Sequence, residues 1–203
     1  MNTRLKDLIL RLLKDHRVMT IATNRPDGWP QATVVGYVND GLRLYCFVAR
    51  DSQKHLNVLR DPRVSIALGN DASAPLDIKG LSLAGRAYVV EDRAEWNRVT
   101  ALRLHRYPEY AALPPPVFRG DALARIAPQP PRAQVVLLGI EPDIVSVVDY
   151  SQGFGHSDLI AVSGREVDRH LKTERHHWHG AHQTADAPLH PLRWRQLVAA
   201  AST

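Results

Sequence analysis

The segment from Ser52 to Lys54 combines groups that can bind a phosphate. It opens the run SQKHLNVLR, which Asp61-Pro62 ends, and which we predict to be a short helix with Ser52 as its N-cap. A hydroxyl, the Lys54 ammonium and the free amides of a helix N-terminus favour a phosphate dianion where they converge. An isolated Ser-x-Lys is more often a helix cap followed by a solvated lysine, so the surrounding elements must decide between the two.

A run of histidines near the C-terminal end is a second group with chemical potential: His176, His177, His179 and His182. Two imidazoles at i and i+3 on one helix face can ligate a transition metal. No carboxylate or thiol completes an obvious set of ligands. We therefore predict a solvated arm and assign no metal site.

His156 is a candidate acid or base, because Gly153 and Gly155 beside it give its loop the freedom to close on a ligand. The alternative is an ordinary loop histidine. No residue of the sequence is identified as an obligatory catalytic acid or base, so the catalytic residues are left unassigned.

The composition limits the class of protein. The 203 residues are 44% hydrophobic and 23% charged, which is typical of one globular domain with appendages. No run approaches the ~18–20 apolar residues that span a bilayer, and the charged N-terminal segment does not resemble a signal peptide. The single cysteine, Cys46, lies in an apolar run and is predicted to be a core residue. We therefore expect a cytoplasmic protein that does not bind a membrane.

The formal net charge of +5 suits anionic ligands, either phosphates or nucleic acid. The four tryptophans are scattered along the chain and are not interleaved with a basic stripe, so a stacking platform for single-stranded nucleic acid is not supported. We expect a small-molecule ligand and no nucleic acid partner.

Periodicity predicts the elements that must position these groups. Apolar residues at helical spacing predict a helix near the N-terminus, and Asp92 can cap another that continues to about Tyr107. Runs rich in β-branched residues predict six strands, over residues 18–23, 31–38, 42–48, 63–69, 78–92 and 133–150. The first three are predicted to form an antiparallel meander, because Asp-Gly pairs lie between them.

Strands in hairpin order with interspersed helices indicate an antiparallel barrel of the α+β class, mainly β. A doubly wound fold is disfavoured, since residues 18–48 leave no room for crossover helices. We assign residues 1–150 to the barrel. Residues 151–203 are assigned to a His-rich C-terminal extension, which is either an arm over a partner subunit or partly disordered.

Three segments in this order resemble the FMN-binding split barrels related to pyridoxamine 5′-phosphate oxidase: VMTIATNRPDGWPQATVVGYV, DGLRLYCFVARDSQKHLNVLRDPRVSIAL and GLSLAGRAYVVED. The resemblance spans about residues 5–150. It implies a six-stranded antiparallel split β-barrel with flanking helices, and a homodimer whose cleft is formed by both chains. It also implies that the FMN phosphate is held at Ser52, Gln53 and Lys54.

In this family the flavin ring lies along the second and third strands. The resemblance therefore implies ring contacts from Thr33, Val34, Val35, Phe47 and Val48. Backbone amides at these positions can bind the pyrimidine edge of the ring, and apolar side chains can cover one of its faces. Plain core packing of the same strands is the alternative.

Some positions depart from the family's pattern. The oxidases have arginine at the position of Gln31 and an Arg-Lys pair where this chain has Gln53-Lys54, and they have glutamine at the position of Gly80. Their Trp- and Arg-rich closing motif is not reproduced. These departures affect substrate recognition more than flavin binding.

The resemblance implies an FMN-binding oxidoreductase that acts on an unknown small substrate. Two alternatives stay open. One is a flavin or haem binding or sensor protein without turnover. The other is a reductase on the same fold that uses a deazaflavin.

Overall fold

A computed structural model describes residues 3–111, 134–163 and 166–171 of the chain. Its helices are α1 (Thr3–Asp15), α2 (Gln53–Arg60) and α3 (Arg93–Arg106). Its strands are β1 (Val18–Asn24), β2 (Pro30–Gly36), β3 (Val38–Asp40), β4 (Arg43–Ala49), β5 (Arg63–Gly69), β6 (Lys79–Val89), β7 (Val135–Asp149), β8 (Ser157–Ser163) and β9 (Glu166–His170). Within the described part of the chain, no helix has the length and apolarity needed to cross a membrane.

The strands form one antiparallel sheet in the order β2-β1-β5-β6-β7-β4-β3, and β8 and β9 continue outward from β7. The two ends of this order, β2 and β3, are consecutive in the chain and are separated only by Tyr37. The sheet must therefore curl until its ends meet. The predicted split barrel of the α+β class, mainly β, is confirmed.

The number of strands differs from the prediction, because the described residues contain nine and not six. The run 31–38 divides at Tyr37 into β2 and β3. Tyr37 and Val38 are both buried although they are consecutive, which a straight strand with alternating faces does not allow, and the Tyr37 hydroxyl donates to the Leu13 carbonyl at 2.8 Å. The other additional strands, β8 and β9, lie beyond residue 150.

The predicted three-stranded meander is wrong for the same reason. β2 pairs with β1, whereas β4 pairs with β3 on one side and with β7 on the other. The bend at Tyr37 carries the chain from one end of the sheet order to the other, so β2 and β4 are not paired.

The core has two parts. α1 buries Leu5, Ile9, Leu12 and Leu13 against the inner face of the barrel, as its spacing predicts. α3 packs Trp96 and Val99 on the outer face of β4 and β7, and its N-cap Asp92 accepts a hydrogen bond from the Glu95 amide at 2.7 Å. Cys46 is fully buried, which confirms it as a core residue, and burial raises the pKa of its thiol to about 12.

Candidate functional site

A gap opens between β2 and the second half of β4, because neither has a partner strand on that side. β3 pairs only with the first residues of β4, up to Tyr45, so β4 from Cys46 to Ala49 is paired with β7 alone. β2 is paired with β1 alone. We call the end of the gap at Tyr37, where β2 continues into β3, its narrow end, and the end at Gln31 and the start of α2 its wide end. Backbone donors and acceptors of both strands face it, and these can bind a flat, polar molecule.

Ser52 occupies the N-cap position of α2, as predicted, but its side chain makes no capping hydrogen bond. Its hydroxyl instead donates to the Ala49 carbonyl at 2.7 Å, which also accepts from the Ser52 amide at 3.0 Å. The prediction that the Ser52 side chain makes the capping hydrogen bond of α2 is therefore wrong. The Ser52 oxygen keeps its acceptor capacity, but the hydroxyl must rotate before it can donate to a ligand.

The first amides of α2 are available to a ligand. Within the described residues, the amides of Gln53 and Lys54 have no acceptor, whereas those of His55 and Leu56 are bonded to the Ser52 carbonyl. This is expected at a helix N-terminus, where the first amides have no partner within the helix. These two N–H groups carry the partial positive charge that favours an anion.

Lys54 is half-buried and contacts no carboxylate of the described residues within ion-pair distance. Its ammonium lies close enough to Cys46 to act against the effect of burial on the pKa of that thiol. Lys54 is therefore within electrostatic reach of β4 and has no carboxylate partner among the described residues.

Gln53, which is exposed, joins a network of hydrogen bonds centred on the buried Asn57. Gln53 Nε2 donates to Asn57 Oδ1 at 2.8 Å, and Asn57 Nδ2 donates to Gln31 Oε1 at 3.2 Å and to Thr23 Oγ1 at 2.9 Å. Gln31 and Gln53, which occupy the positions where the oxidases have arginines, are thus linked through Asn57. Lys54 keeps the cationic position at the start of α2.

On β2, Thr33 and Val35 point inward and Val34 points outward. Val35 packs against the barrel core, and Val34 is 68% exposed. Thr33 Oγ1 is buried and has no hydrogen-bond partner among the described residues. A buried hydroxyl without a partner costs about 1–3 kcal/mol, so this position favours a polar group from a ligand.

On β4, Phe47 and Val48 lie on opposite faces. Val48 is 5% exposed and its side chain belongs to the core, so only its backbone can face a ligand. Phe47 is half-buried on the outer face, where its ring meets Trp96 edge-on at 5.7 Å and the Arg103 guanidinium lies 4.5 Å from its centroid.

A cavity of about 200 Å³ adjoins the narrow end of the gap. It lies between the bend at Tyr37, the outer face of β4 and α3, and its walls are mainly aromatic: Gly36, Tyr37, Val38, Tyr45, Phe47, Arg103 and Tyr107. Val38 and Tyr107 also line a wider, open cavity of about 530 Å³ beside the ends of α1 and α3, with Lys14, Arg17 and His105.

Sequence reasoning missed Arg103, Tyr107 and Asn57 as site residues. Arg103 follows Trp96 and Val99 at helical spacing, so the periodicity of this segment could have placed it on the packed face of α3. No pattern in the sequence identifies Asn57, because its role depends on partners 26 and 34 residues away.

His156 is not close to the β2–β4 gap of its own chain. It lies by the N-terminal end of α1 in a cavity of about 170 Å³ lined with Arg4 and Gln152, and its Nε2 is 3.2 Å from Asp158 Oδ2. In the described ranges, no three His, Cys, Asp or Glu residues could hold a metal ion together. The run from His176 to His182 lies outside those ranges.

The residues present fit FMN at this gap. A lysine with an available charge and two free amides lie where its phosphate would be, and a buried hydroxyl without a partner lies on β2. An aromatic side chain, Phe47, and an exposed valine, Val34, are placed for the ring.

A family model described as pyridoxamine 5′-phosphate oxidase matches residues 5–142. No curated protein matches the chain.

Three known structures show the same fold. A haem binding protein from Mycobacterium smegmatis has a TM-score of 0.59 and 22% identity, over 77% of this chain and 57% of that one. A conserved hypothetical protein from Mycobacterium tuberculosis has a TM-score of 0.56 and 25% identity, over 81% and 92%. General Stress Protein 26 from Bacillus anthracis has a TM-score of 0.55 and 23% identity, over 80% and 100%.

Proposed function

Because this chain belongs to the pyridoxamine 5′-phosphate oxidase family, we propose that it binds FMN between β2 and β4 and acts as an oxidoreductase on a small substrate. The observation that carries the proposal is the wide end of the gap, where the Lys54 ammonium and the free amides of Gln53 and Lys54 come together. Bound flavin supplies hydride or electron-pair transfer; the protein supplies binding, orientation and a dry surface.

The phosphate would be held by Lys54, by the two free amides and by Ser52 after its hydroxyl rotates away from Ala49. The rotation exchanges one hydrogen bond for a charge-assisted one, which is the stronger of the two. The ring would then lie toward the bend at Tyr37, with Thr33 and the backbone of Val48 supplying polar contacts.

The substrate would enter the aromatic cavity next to Phe47. Aromatic walls and the Arg103 guanidinium favour a flat molecule that carries negative charge. Gly36 contributes no side chain to the cavity wall, so the substrate can come close to the backbone of β2.

We further propose that the chain is a homodimer that packs through one face of its sheet. Cross-strand partners share a face, and eight adjacent positions on the outer face carry no charge. We call this the small-residue face: Thr20, Ala22, Ala32, Val34, Ser65, Ala67, Ser82 and Ala84. An uncharged sheet surface with exposed members such as Val34 is typical of an interface centre. A dimer of this kind, with its single cysteine buried, suits the reducing cytoplasm.

Titration with FMN tests the proposal. Purified protein should be yellow or should take up added FMN, with quenched flavin fluorescence, and Lys54→Ala should weaken binding about 10- to 100-fold. Lys6→Ala is the matched control, because Lys6 lies on α1, away from the gap, and pairs with Glu166 of β9. Colourless protein that takes up no FMN refutes the proposal. Mass spectrometry of the released cofactor separates FMN from a deazaflavin.

Haem is the second candidate, since a haem binding protein shares the fold and His105 lines the open cavity together with Lys14 and Arg17. An imidazole can ligate haem iron, and Lys14 can pair with a propionate, whereas Arg17 is paired with Glu109. Titration with haemin distinguishes this function: a Soret band that His105→Ala abolishes supports haem, and an unchanged haemin spectrum excludes it.

A further inference from the structure

A small polar cavity lies between the N-terminal end of α1 and the turn that joins β7 to β8. Its volume is about 170 Å³, and its walls are Arg4, Leu5, Leu8, Gln152, His156 and Asp158. We call it the α1 cavity. Its volume equals that of about six water molecules at ~30 Å³ each, so it admits only a small ligand.

The α1 cavity is separate from the flavin gap. The narrow end of the gap, at Tyr37, is bonded to the Leu13 carbonyl near the C-terminal end of α1. Arg4 lies in the first turn of the same helix, about 14 Å from Leu13 along the axis at ~1.5 Å per residue. A ligand in the α1 cavity therefore occupies a second site.

Two polar side chains of the cavity are each held by a carboxylate. Gln152 Nε2 lies 3.2 Å from Asp149 Oδ2, and His156 Nε2 lies 3.2 Å from Asp158 Oδ2. Burial works against the ionisation of Asp149, but hydrogen bonds from Ser151 and Gln152 hold its pKa below the ordinary value. An ionised carboxylate only accepts, so both Nε2 atoms donate. Gln152 Oε1 and, in the neutral imidazole, His156 Nδ1 are left as acceptors for a ligand.

The backbone of the turn fixes the position of His156. The Asp149 amide donates to the His156 carbonyl at 3.2 Å, and the His156 amide donates to the Gly153 carbonyl at 3.0 Å. Gly153 and Gly155 have φ values of +136° and +79°, which L residues rarely adopt. The acceptors are therefore in place before a ligand binds, which lowers the entropic cost of binding.

Arg4 gives the cavity a positive charge. Among the described residues, no carboxylate lies within ion-pair distance of its guanidinium. Arg4 and Asp158 thus line one small cavity with opposite charges and are not paired with each other. A ligand that carries both charges can bridge them through charge-assisted hydrogen bonds.

We propose that the α1 cavity binds a small free α-amino acid. The ligand carboxylate pairs with Arg4. Its ammonium has three N–H donors, and these face Gln152 Oε1, His156 Nδ1 and the Asp158 carboxylate. Leu8 lies in the apolar part of the wall, which favours an apolar side chain between alanine and valine in size. The inference goes beyond the proposed flavin chemistry and does not rest on it.

Isothermal titration calorimetry with L-alanine and L-valine tests the proposal. The full-length chain is used, with its affinity tag at the C-terminal end because Arg4 is close to the N-terminus. We expect saturable binding of one amino acid per chain. Isovalerate lacks the ammonium of valine and isobutylamine lacks its carboxylate, so each should bind at least about 10-fold more weakly than L-valine.

Substitutions in the cavity wall test the assigned contacts. Arg4→Gln should weaken binding of L-valine about 10- to 100-fold, because it removes the charged partner of the carboxylate. His156→Leu should weaken it about 3- to 10-fold, because it removes one acceptor. Arg11→Gln is the matched control, since Arg11 lies on the exposed side of α1 and is not part of the wall. Circular dichroism checks that all three variants are folded.

The proposal is wrong if neither amino acid gives saturable heat at concentrations up to about 10 mM. It is also wrong if Arg4→Gln binds L-valine as wild type does. Isovalerate that binds as tightly as L-valine would identify a site for small carboxylates, and equally tight isobutylamine a site for amines. Either of these results overturns the assignment to an amino acid.

Discussion

Asn57 Nδ2 donates a hydrogen bond to Thr23 Oγ1 at 2.9 Å, which ties the middle of α2 to β1 in the interior of the protein. Both residues are almost fully buried, at 0% and 1% exposure. The same amide group also holds Gln31, and its oxygen accepts from Gln53. Asn57 therefore helps to fix the position of α2, and with it the direction of its free amides, together with the buried Val58 and the bonds from Arg60 to the Asn24 and Arg25 carbonyls.

Asn57→Ala should lower the free energy of unfolding by about 2–4 kcal/mol, because it removes three hydrogen bonds and leaves the Thr23 hydroxyl buried without its donor. Urea denaturation followed by circular dichroism measures this loss. Gln53→Ala is the control, since it removes one bond from an exposed partner and should cost less than about 1 kcal/mol. Equal effects of the two changes would show that the network does not hold the helix.

Gln53→Arg should strengthen FMN binding about 3- to 30-fold, because it adds a second cation beside Lys54 at the proposed phosphate site. The gain should shrink in 0.5 M salt, where exposed charges are screened. Gln53→Leu is the control, because it loses the hydrogen bond to Asn57 without adding a charge. It should not strengthen FMN binding. If Gln53→Arg binds FMN with the same affinity as wild type, the phosphate lies elsewhere.

Local patterns in the sequence were sufficient for most of the fold. The spacing of Leu5, Ile9, Leu12 and Leu13 predicted the buried face of α1, and Asp92 predicted the start of α3. The bend at Tyr37 was not predictable in this way, because both halves of the run 31–38 have strand propensity. It is set by long-range packing of the tyrosine against the end of α1.

The candidate site was predictable only in part. Ser52, Gln53 and Lys54 are consecutive, so their common position at the start of α2 follows from local sequence. The gap itself arises because β2 and the second half of β4 are unpaired on one side, which is a property of strand order and register. The partnerless hydroxyl of Thr33 and the network of Asn57 likewise depend on distant parts of the chain.

Cys46 should make the protein less stable in alkali. Burial raises the pKa of its thiol to about 12, against about 8.5 in an unfolded chain. Between these values only the unfolded state loses the proton, so the free energy of unfolding should fall by about 1.4 kcal/mol per pH unit above pH 8.5. Guanidinium denaturation at pH 8, 9 and 10 measures the slope. In Cys46→Ala the free energy of unfolding should stay constant up to pH 10. Above that pH the buried Tyr37, whose pKa is raised to about 12, begins to contribute in the same direction. An equal slope in the variant and in the wild type would show that Cys46 is not the group responsible.

Ala67→Glu should convert the protein to a monomer. Ala67 lies in the small-residue face between Thr20 and Ser82, is exposed in the single chain, and has no charged residue among its cross-strand partners. In the proposed dimer the two new carboxylates would lie near the twofold axis, where burial without a partner and mutual repulsion oppose association. Sedimentation velocity should show half the wild-type mass, with an unchanged circular dichroism spectrum because the site faces away from the core. Ala101→Glu, on the exposed side of α3, should remain dimeric. The monomeric variant should also bind FMN more weakly than wild type, because its cleft lacks the second subunit. If the Ala67→Glu protein remains dimeric, the small-residue face is not the interface.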